Sequence, residues 1–398
     1  MDAHISALYQ LLHNRDDKPI PYHEGCAFFP PIQFVLAVLG MPKLPKQLYE
    51  LNHQPGWLSW KTFKKWIGSP PGAIQQRPTQ LLKFSKMLAS NPSNLGLVQD
   101  LVSKDALWRP YSEWLGVVRS VFIHEECSRH WEELLNAEWL LMCKTLPAAS
   151  SPVERLESLA RSDLTSSLGA PGSSERIIGM LSQGLEPEKL IAGADFFNSR
   201  MADLISFMLR FAAWFIVDAS IWHWEQAVRE GKQNKILFEP LLPSKQADGQ
   251  WSDSVRQCLE DFARLCKCPP DATLPSSLGR IWADHDYSLT TDCDVESKQH
   301  LLRDWLTNEM GRPTRQSVQS LAMAMAHKSA VLSGIKDGAT SPEEVNNLAY
   351  RFHFAETCRF LLQEMQKRAF PNELIEAVYS SFALEYRIAR TALGKPLA

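Results

Sequence analysis

Residues 204–217 read LISFMLRFAAWFIV, which is the longest apolar run in the chain. The run holds fourteen residues, includes Arg210, and is flanked by Asp203 and Asp218. A helix needs about twenty apolar residues to cross a bilayer. The run is too short for that, so it predicts a buried core helix and no membrane span.

Helical periodicity extends outward from this run over most of the chain. Apolar side chains recur three and four positions apart in residues 107–146, 185–228, 255–266, 297–310, 317–332 and 345–393. Ser341, Pro342 and Glu344 form a helix-start signal, and Pro371 divides the last segment into a helical hairpin. Because only short stretches such as residues 235–242 are candidates for strands, the predicted fold class is all-α.

Length predicts more than one domain, since single cores usually stop growing below 398 residues. Polar or Pro-containing breaks lie at residues 90–95, 148–152, 168–174 and 240–251. We predict a basic helical subdomain over residues 1–95 and a helical body in two halves, residues 96–250 and 251–398. The N-terminus lacks a secretory signal pattern, and eight irregularly spaced cysteines favour free thiols, so we expect a cytoplasmic protein.

The charge of the chain is segregated. Residues 41–90, here called the basic window, carry one acid, Glu50, and eight bases: Lys43, Lys46, Lys61, Lys64, Lys65, Arg77, Lys83 and Lys86. The whole chain has a net charge of −3, so the other 348 residues sum to about −10. Concentrated positive charge in a folded segment favours a polyanion, and phosphate contacts supply most sequence-independent affinity for nucleic acids.

A short helix is predicted inside the basic window, over residues 59–67. Ser59 can cap its start, and Gly68 followed by two prolines ends it. One face of this helix is apolar and the opposite face is basic. The apolar side chains are Phe63, Trp66 and Ile67, and the basic ones are Lys61, Lys64 and Lys65.

This segment, about residues 44–89, resembles the helix-turn-helix domain of the phage repressor and Cro-like family. The residues that carry the resemblance are Ser59, Thr62, Phe63, Trp66 and Gly68, followed by Pro78, Leu81, Leu82 and Leu88. The resemblance implies that residues 59–67 are the recognition helix. Its DNA-facing side chains would be Trp60, Lys61, Lys64 and Lys65, with Arg77, Lys83 and Lys86 contacting phosphates from on or beside the next helix.

Two departures from the family pattern bear on specificity. The turn over residues 53–58 is longer than the three or four residues usual between the paired helices. The predicted recognition helix also lacks the Arg or Gln that reads guanine or adenine through two hydrogen bonds. Lysines alone favour phosphate contacts over strong base reading.

Three groups of residues could suggest a metal site, and in each case we favour an ordinary structural role. The first is Cys258, Cys266 and Cys268 with His285, Cys293 and His300, whose spacing lacks the paired ligands of a zinc site. The second is Asp284, Asp286, Ser288 and Asp292, where Leu289 and Val295 replace the Gly and Glu of a calcium loop, so we expect an acidic surface loop. The third is His124, Glu125, Glu126 and His130 with His353 and Glu356, which offers only fragments of a carboxylate-bridged metal bundle.

Three functions stay open at this point. The first is a DNA-binding protein, either a regulator or a subunit of a nucleoprotein complex, with duplex DNA as the favoured partner. The second is a helical scaffold or adaptor whose basic face binds an acidic protein, with self-association through the body as a variant. The third is an enzyme with a helical metal site. The chain lacks a P-loop, a dinucleotide-binding fingerprint and the common hydrolase motifs, which disfavours nucleotide hydrolysis, dinucleotide oxidoreduction and common hydrolase chemistry. We expect no catalytic residues, no metal or cofactor, and, from the short apolar run, no membrane partner.

Overall fold

A computed structural model describes residues 28–29, 59, 61, 114, 117–119, 121–141, 152–186, 189–190, 193–229, 241–289, 295–307, 313–335 and 338–394. In these residues the regular secondary structure is helical, apart from one isolated antiparallel bridge between Lys245 and Trp251. The predicted all-α class is confirmed.

The chain divides into two compact units. Unit 1 comprises residues 1–222 with 380–397, and unit 2 comprises residues 223–379 with 398. The predicted domain bounds at residues 95 and 250 stay a prediction, and residues 90–95 lie outside the described part.

Two helices, Ala194–Arg229 and Asn372–Ala392, contribute residues to both units. Along the described chain the helices are α1 (Glu125–Trp139), α2 (Pro152–Ala160), α3 (Asp163–Leu168), α4 (Ser173–Ser182), α5 (Ala194–Arg229), α6 (Ser254–Leu265), α7 (Leu274–Leu289), α8 (Val295–Thr307), α9 (Arg315–Leu332), α10 (Pro342–Lys367) and α11 (Asn372–Ala392).

The core of unit 1 forms around α5. Most of residues 204–217 are buried, as the apolar run predicts. By length and composition, α5 is also long and apolar enough over Ala194–Gln226 to cross a membrane, and 83% of its most apolar window is buried inside the structure. This degree of burial is typical of a core helix, because its apolar side chains pack against other protein groups and its backbone groups are hydrogen-bonded within the helix.

The core of unit 2 is built from α6 to α10. Phe262, Trp282, Trp305 and Phe352 are buried there at or below 4% exposure. Helices α7 and α8 approach closely at Gly279, where an added Cβ would lie 2.6 Å from Cγ of Gln299. A larger residue at this position would therefore force the two helices apart.

Helix punctuation agrees with the sequence where a cap is strong. Ser341 and Glu344 form a complete capping box at the start of α10, with Pro342 in the first turn. Helix α9 starts after Thr314, whose side chain accepts the backbone N–H of Ser317. Helices α10 and α11 follow each other in the chain with Pro371 between them, and their predicted packing as a hairpin stays a prediction.

Helices α2, α3, α4 and α7 are not indicated by the periodicity. The first three are short: α2 and α3 lie between the predicted breaks at residues 148–152 and 168–174, and α4 follows the second break. The expected acidic loop near Asp284 and Asp286 is wrong, because both residues lie inside α7. Local acidity there does not mark a loop, since Asp286 is satisfied by side chains from neighbouring helices.

Candidate nucleic-acid interface

Ser59 and Lys61 are the described residues of the basic window. Ser59 is exposed and not helical, whereas Lys61 is helical and exposed. Both observations agree with a helix that begins just after Ser59. The other predicted contact residues lie outside the described part, so their arrangement stays a prediction: Trp60, Lys64, Lys65, Arg77, Lys83 and Lys86.

Upstream of the basic window, Phe28 and Phe29 are held on unit 1 by a buried carboxylate. We call these two residues the aromatic anchor. Glu138 on α1 is 0% exposed. Its Oε1 accepts the backbone N–H of Phe28 at 2.9 Å, and its Oε2 accepts the backbone N–H of Phe29 at 3.2 Å. One side chain thus fixes two consecutive residues that lie more than a hundred positions away in sequence.

The ring of Phe29 enters an aromatic cluster formed by α1, α5 and Trp114. Its centroid lies 5.3 Å from that of Trp114, 6.1 Å from Trp131 and 5.1 Å from Phe207, in edge-to-face geometry. Such pairs add about 0.5–1.5 kcal/mol each beyond the apolar area that they bury. The anchor is therefore held by both hydrogen bonds and ring packing.

Phe28 lies beside a buried ion pair of α5. The guanidinium of Arg200 is 5.1 Å from the Phe28 ring centroid, and its Nη1 is 2.9 Å from Oδ2 of Asp203. Asp203 also accepts the backbone N–H of Ala170 at 3.0 Å. Gly169 leaves the room for this packing, because a Cβ there would lie 3.2 Å from both Asp203 Oδ1 and Phe28 Cε1.

The protonation of Glu138 reflects two opposing influences. Complete burial raises the pKa of Glu138 to about 7, and the two backbone N–H groups with the nearby Arg200 charge oppose that rise. The carboxyl group therefore changes its charge near neutral pH, in direct contact with the aromatic anchor.

Asp218, a buried acid on α5, binds the two residues that precede α1. The carboxylate of Asp218 accepts the backbone N–H groups of Ile123 and His124, each at 2.8 Å, and contacts Nδ1 of His124 at 2.8 Å. It therefore fixes the two residues that precede α1, whose N-cap His124 makes no side-chain cap hydrogen bond, and places a carboxylate near the positive end of the helix. Burial, together with Asp218, raises the pKa of the Cys127 thiol well above its ordinary value, so this cysteine stays protonated.

Helix α11 is joined to α5 through Glu385. Its Oε1 is 2.8 Å from Nη1 of Arg210, and its Oε2 accepts the indole N–H of Trp214 at 2.8 Å. Arg210 also donates to the carbonyl of Ser167 at 2.9 Å. His130 stacks on Trp214 with ring centroids 4.0 Å apart, and burial lowers the pKa of His130.

Unit 2 contains a polar cluster around Asp286 on α7. Lys298 Nζ lies 2.6 Å from Asp286 Oδ2, and Ser320 Oγ donates to Asp286 Oδ1 at 2.9 Å. Ser320 accepts the indole N–H of Trp282 at 2.8 Å. Burial opposes ionisation of Asp286, but the hydrogen bonds from Lys298 and Ser320 and the Lys298 charge lower its pKa. Both hydrogen-bonding roles of Ser320 are used inside the protein, so the cluster joins α7, α8 and α9 structurally.

The candidate metal-binding residues do not come together as a metal-binding cluster in the described part of the chain. There, His, Cys, Asp and Glu do not form a group of three or more that could hold a metal ion. Cys258 and Cys266 are buried free thiols of the unit 2 core, Cys268 is half-buried, and burial raises the pKa of Cys258 to about 12. Among the residues considered for a carboxylate-bridged metal bundle, Glu125 forms an ion pair with Arg129, and His353 Nδ1 is 4.0 Å from Glu356 Oε2.

Comparison of the chain with protein-family models, with curated proteins and with solved structures gave no match. The sequence reasoning missed Glu138, Asp218 and Glu385. Each lies on the apolar stripe of its own helix, as Glu138 does seven residues after Trp131, and a charged residue in that position is a detectable signal.

Proposed function

We propose that the chain is a DNA-binding protein, a regulator or a subunit of a nucleoprotein complex, that contacts the phosphate backbone through its basic window. The observation that carries this proposal is charge segregation: eight bases and one acid in residues 41–90 of a chain whose net charge is −3. Local repulsion among so many like charges is relieved when phosphates neutralise them and counterions are released. The exposed position of Lys61 in a helical turn supports the proposal.

The contacts proposed are of two kinds. Trp60, Lys61, Lys64 and Lys65 lie on the predicted recognition helix, and Arg77, Lys83 and Lys86 lie on or beside the next helix. Lysine is a flexible point charge and does not read a base edge through two fixed hydrogen bonds as Arg does. We therefore expect weak sequence preference and a strong dependence of affinity on salt.

The test is a titration of fluorescent duplex DNA, read by anisotropy at several salt concentrations. Each phosphate contact contributes about 0.9 to the slope of log K against log salt concentration. The triple variant K61A/K64A/K65A should lose about three units of slope, with weaker binding at every salt concentration.

The matched control removes the same total charge elsewhere. Lys189, Lys328 and Lys367 are outside the basic window, and the variant K189A/K328A/K367A should keep the wild-type slope. If the K61A/K64A/K65A variant binds duplex DNA with an unchanged slope, the proposed function is wrong.

The size of the helical body favours a second candidate, a scaffold or adaptor that binds an acidic protein partner or a second copy of the chain. The chain divides into two compact units that extend far beyond the basic window, which is more structure than a minimal DNA-binding domain contains. The same titration, repeated with single-stranded DNA and RNA, separates the two candidates. Absence of binding to all three nucleic acids at low salt would favour the scaffold.

A further inference from the structure

Glu138 is a buried acid that is not among the proposed phosphate-contacting residues. It is fully buried, yet both of its carboxylate oxygens are bonded to the backbone of Phe28 and Phe29, 110 and 109 residues away. An acid costs several kcal/mol to bury unless its charge is compensated. Here the compensation comes from the aromatic anchor and from Arg200, itself paired with Asp203.

We propose that Glu138 is a positioning residue that holds the aromatic anchor against α1 and α5, and thereby confines the basic window. This inference rests on the proposed function, because it concerns how the phosphate-binding segment is presented. Recognition of the anchor combines two backbone N–H donors, the edge-to-face packing of Phe29, and the Arg200 guanidinium beside the Phe28 ring.

Covalent geometry gives the confinement a scale. The basic window begins at Met41, twelve residues after Phe29. Twelve residues span at most about 43 Å when fully extended. While the anchor is in place, the start of the basic window must stay within that distance of the Phe29 site. Release of the anchor removes this restriction, and the added conformational freedom would be lost again when DNA binds.

The sign of the pH effect follows from linkage. The pKa of Glu138 is about 7 with the anchor in place, and its ordinary value is 4.5. If release returns the carboxyl group to water, the anchored state holds more protons than the released state between these two values. Anchoring is therefore favoured at low pH and weakens as pH rises through about 7. The charged groups that face Glu138 are Arg200 and, through it, Asp203.

Hydrogen–deuterium exchange of the Phe28 and Phe29 amides measures the anchor directly, because these N–H groups are the donors to Glu138. At fixed pH, E138A should increase their exchange rate by at least about tenfold. E132A is the matched control: Glu132 lies on the same helix, but its carboxylate binds Arg119. The control should leave both amides protected, and equal protection in E138A and wild type would overturn the proposal.

The pH dependence distinguishes Glu138 from a residue that only stabilises the unit. After correction for intrinsic exchange, wild-type protection of the two amides should fall by up to about seventyfold between pH 5 and pH 8. E138Q cannot ionise, and its amide oxygen can accept only one of the two backbone N–H groups, so it should weaken the anchor and lose this pH dependence. A pH profile for E138Q that matches the wild type would overturn the role of Glu138.

DNA binding tests the coupling to the basic window. At one salt concentration E138A should bind duplex DNA about tenfold more weakly than wild type, because the released segment must be ordered on binding. Its salt slope should be unchanged, because every lysine is still present. Affinity equal to or above that of wild type would overturn the coupling. If wild type binds no nucleic acid, the proposed function and the coupling both fail, and the exchange experiment still decides whether Glu138 holds the anchor.

Discussion

The buried charges of α5 are stable because each has a specific partner. Asp203 pairs with Arg200, and Arg210 pairs with Glu385, whose side chain is only 9% exposed. Removing one member of such a pair leaves the other charge buried without compensation, which costs about 3–5 kcal/mol. Arg210 keeps its bond to the Ser167 carbonyl, but a carbonyl carries no net charge to offset it.

For this ion pair we predict that E385L lowers the free energy of unfolding by about 3–5 kcal/mol, measured by urea denaturation of the whole chain. The control W214F removes the indole N–H and leaves the Arg210–Glu385 ion pair in place, so it should cost only about 1–2 kcal/mol. The double variant R210M/E385L should recover part of the loss, because no charge then stays buried. An equal effect of E385L and W214F would show that the ion pair contributes little.

At the scale of elements, helix ends can be tested one at a time. The capping box of α10 satisfies backbone N–H groups at Ser341 and Glu344. S341A should therefore lower the free energy of unfolding by about 1 kcal/mol in urea denaturation. Ser182 gives a matched control, because it is an exposed serine inside α4 whose hydroxyl bonds only the Ile178 carbonyl. S182A should be neutral or slightly stabilising, and an equal loss in both variants would argue against the cap.

The sequence predicts those helices whose sequence signals lie within the helix itself or at its start. The apolar run of α5 and the capping box of α10 depend on residues within a few turns of each other, so a single chain reveals them. Helices α2, α3 and α4 are short and follow polar breaks, and packing within unit 1 is what stabilises them. The Glu138 site is harder still, because it joins residues more than a hundred positions apart. No local pattern encodes which backbone N–H groups a buried acid will meet.

The whole molecule combines groups that respond to pH in opposite directions. Burial lowers the pKa of His130 in unit 1 from its ordinary value of 6.5, and it does the same for His285 in unit 2, where the nearby His327 adds to the effect. Their contribution to stability is present above pH 6.5 and is lost as pH falls. Glu138, whose pKa is raised from 4.5 to about 7, contributes the opposite slope over that interval.

Calorimetry of the chain between pH 7 and pH 5 should resolve these contributions. The variant H130Q/H285Q should show a smaller fall in Tm on acidification than wild type, because the two half-buried imidazoles no longer have to take up protons. E138Q should show a larger fall, because it removes the group whose protonation favours the folded state. The E138Q difference should be about 1–3 °C, since one pKa unit corresponds to about 1.4 kcal/mol and larger chains shift less per kcal/mol. Parallel Tm profiles in all three proteins would contradict the assignment of these buried groups as the source of the pH response.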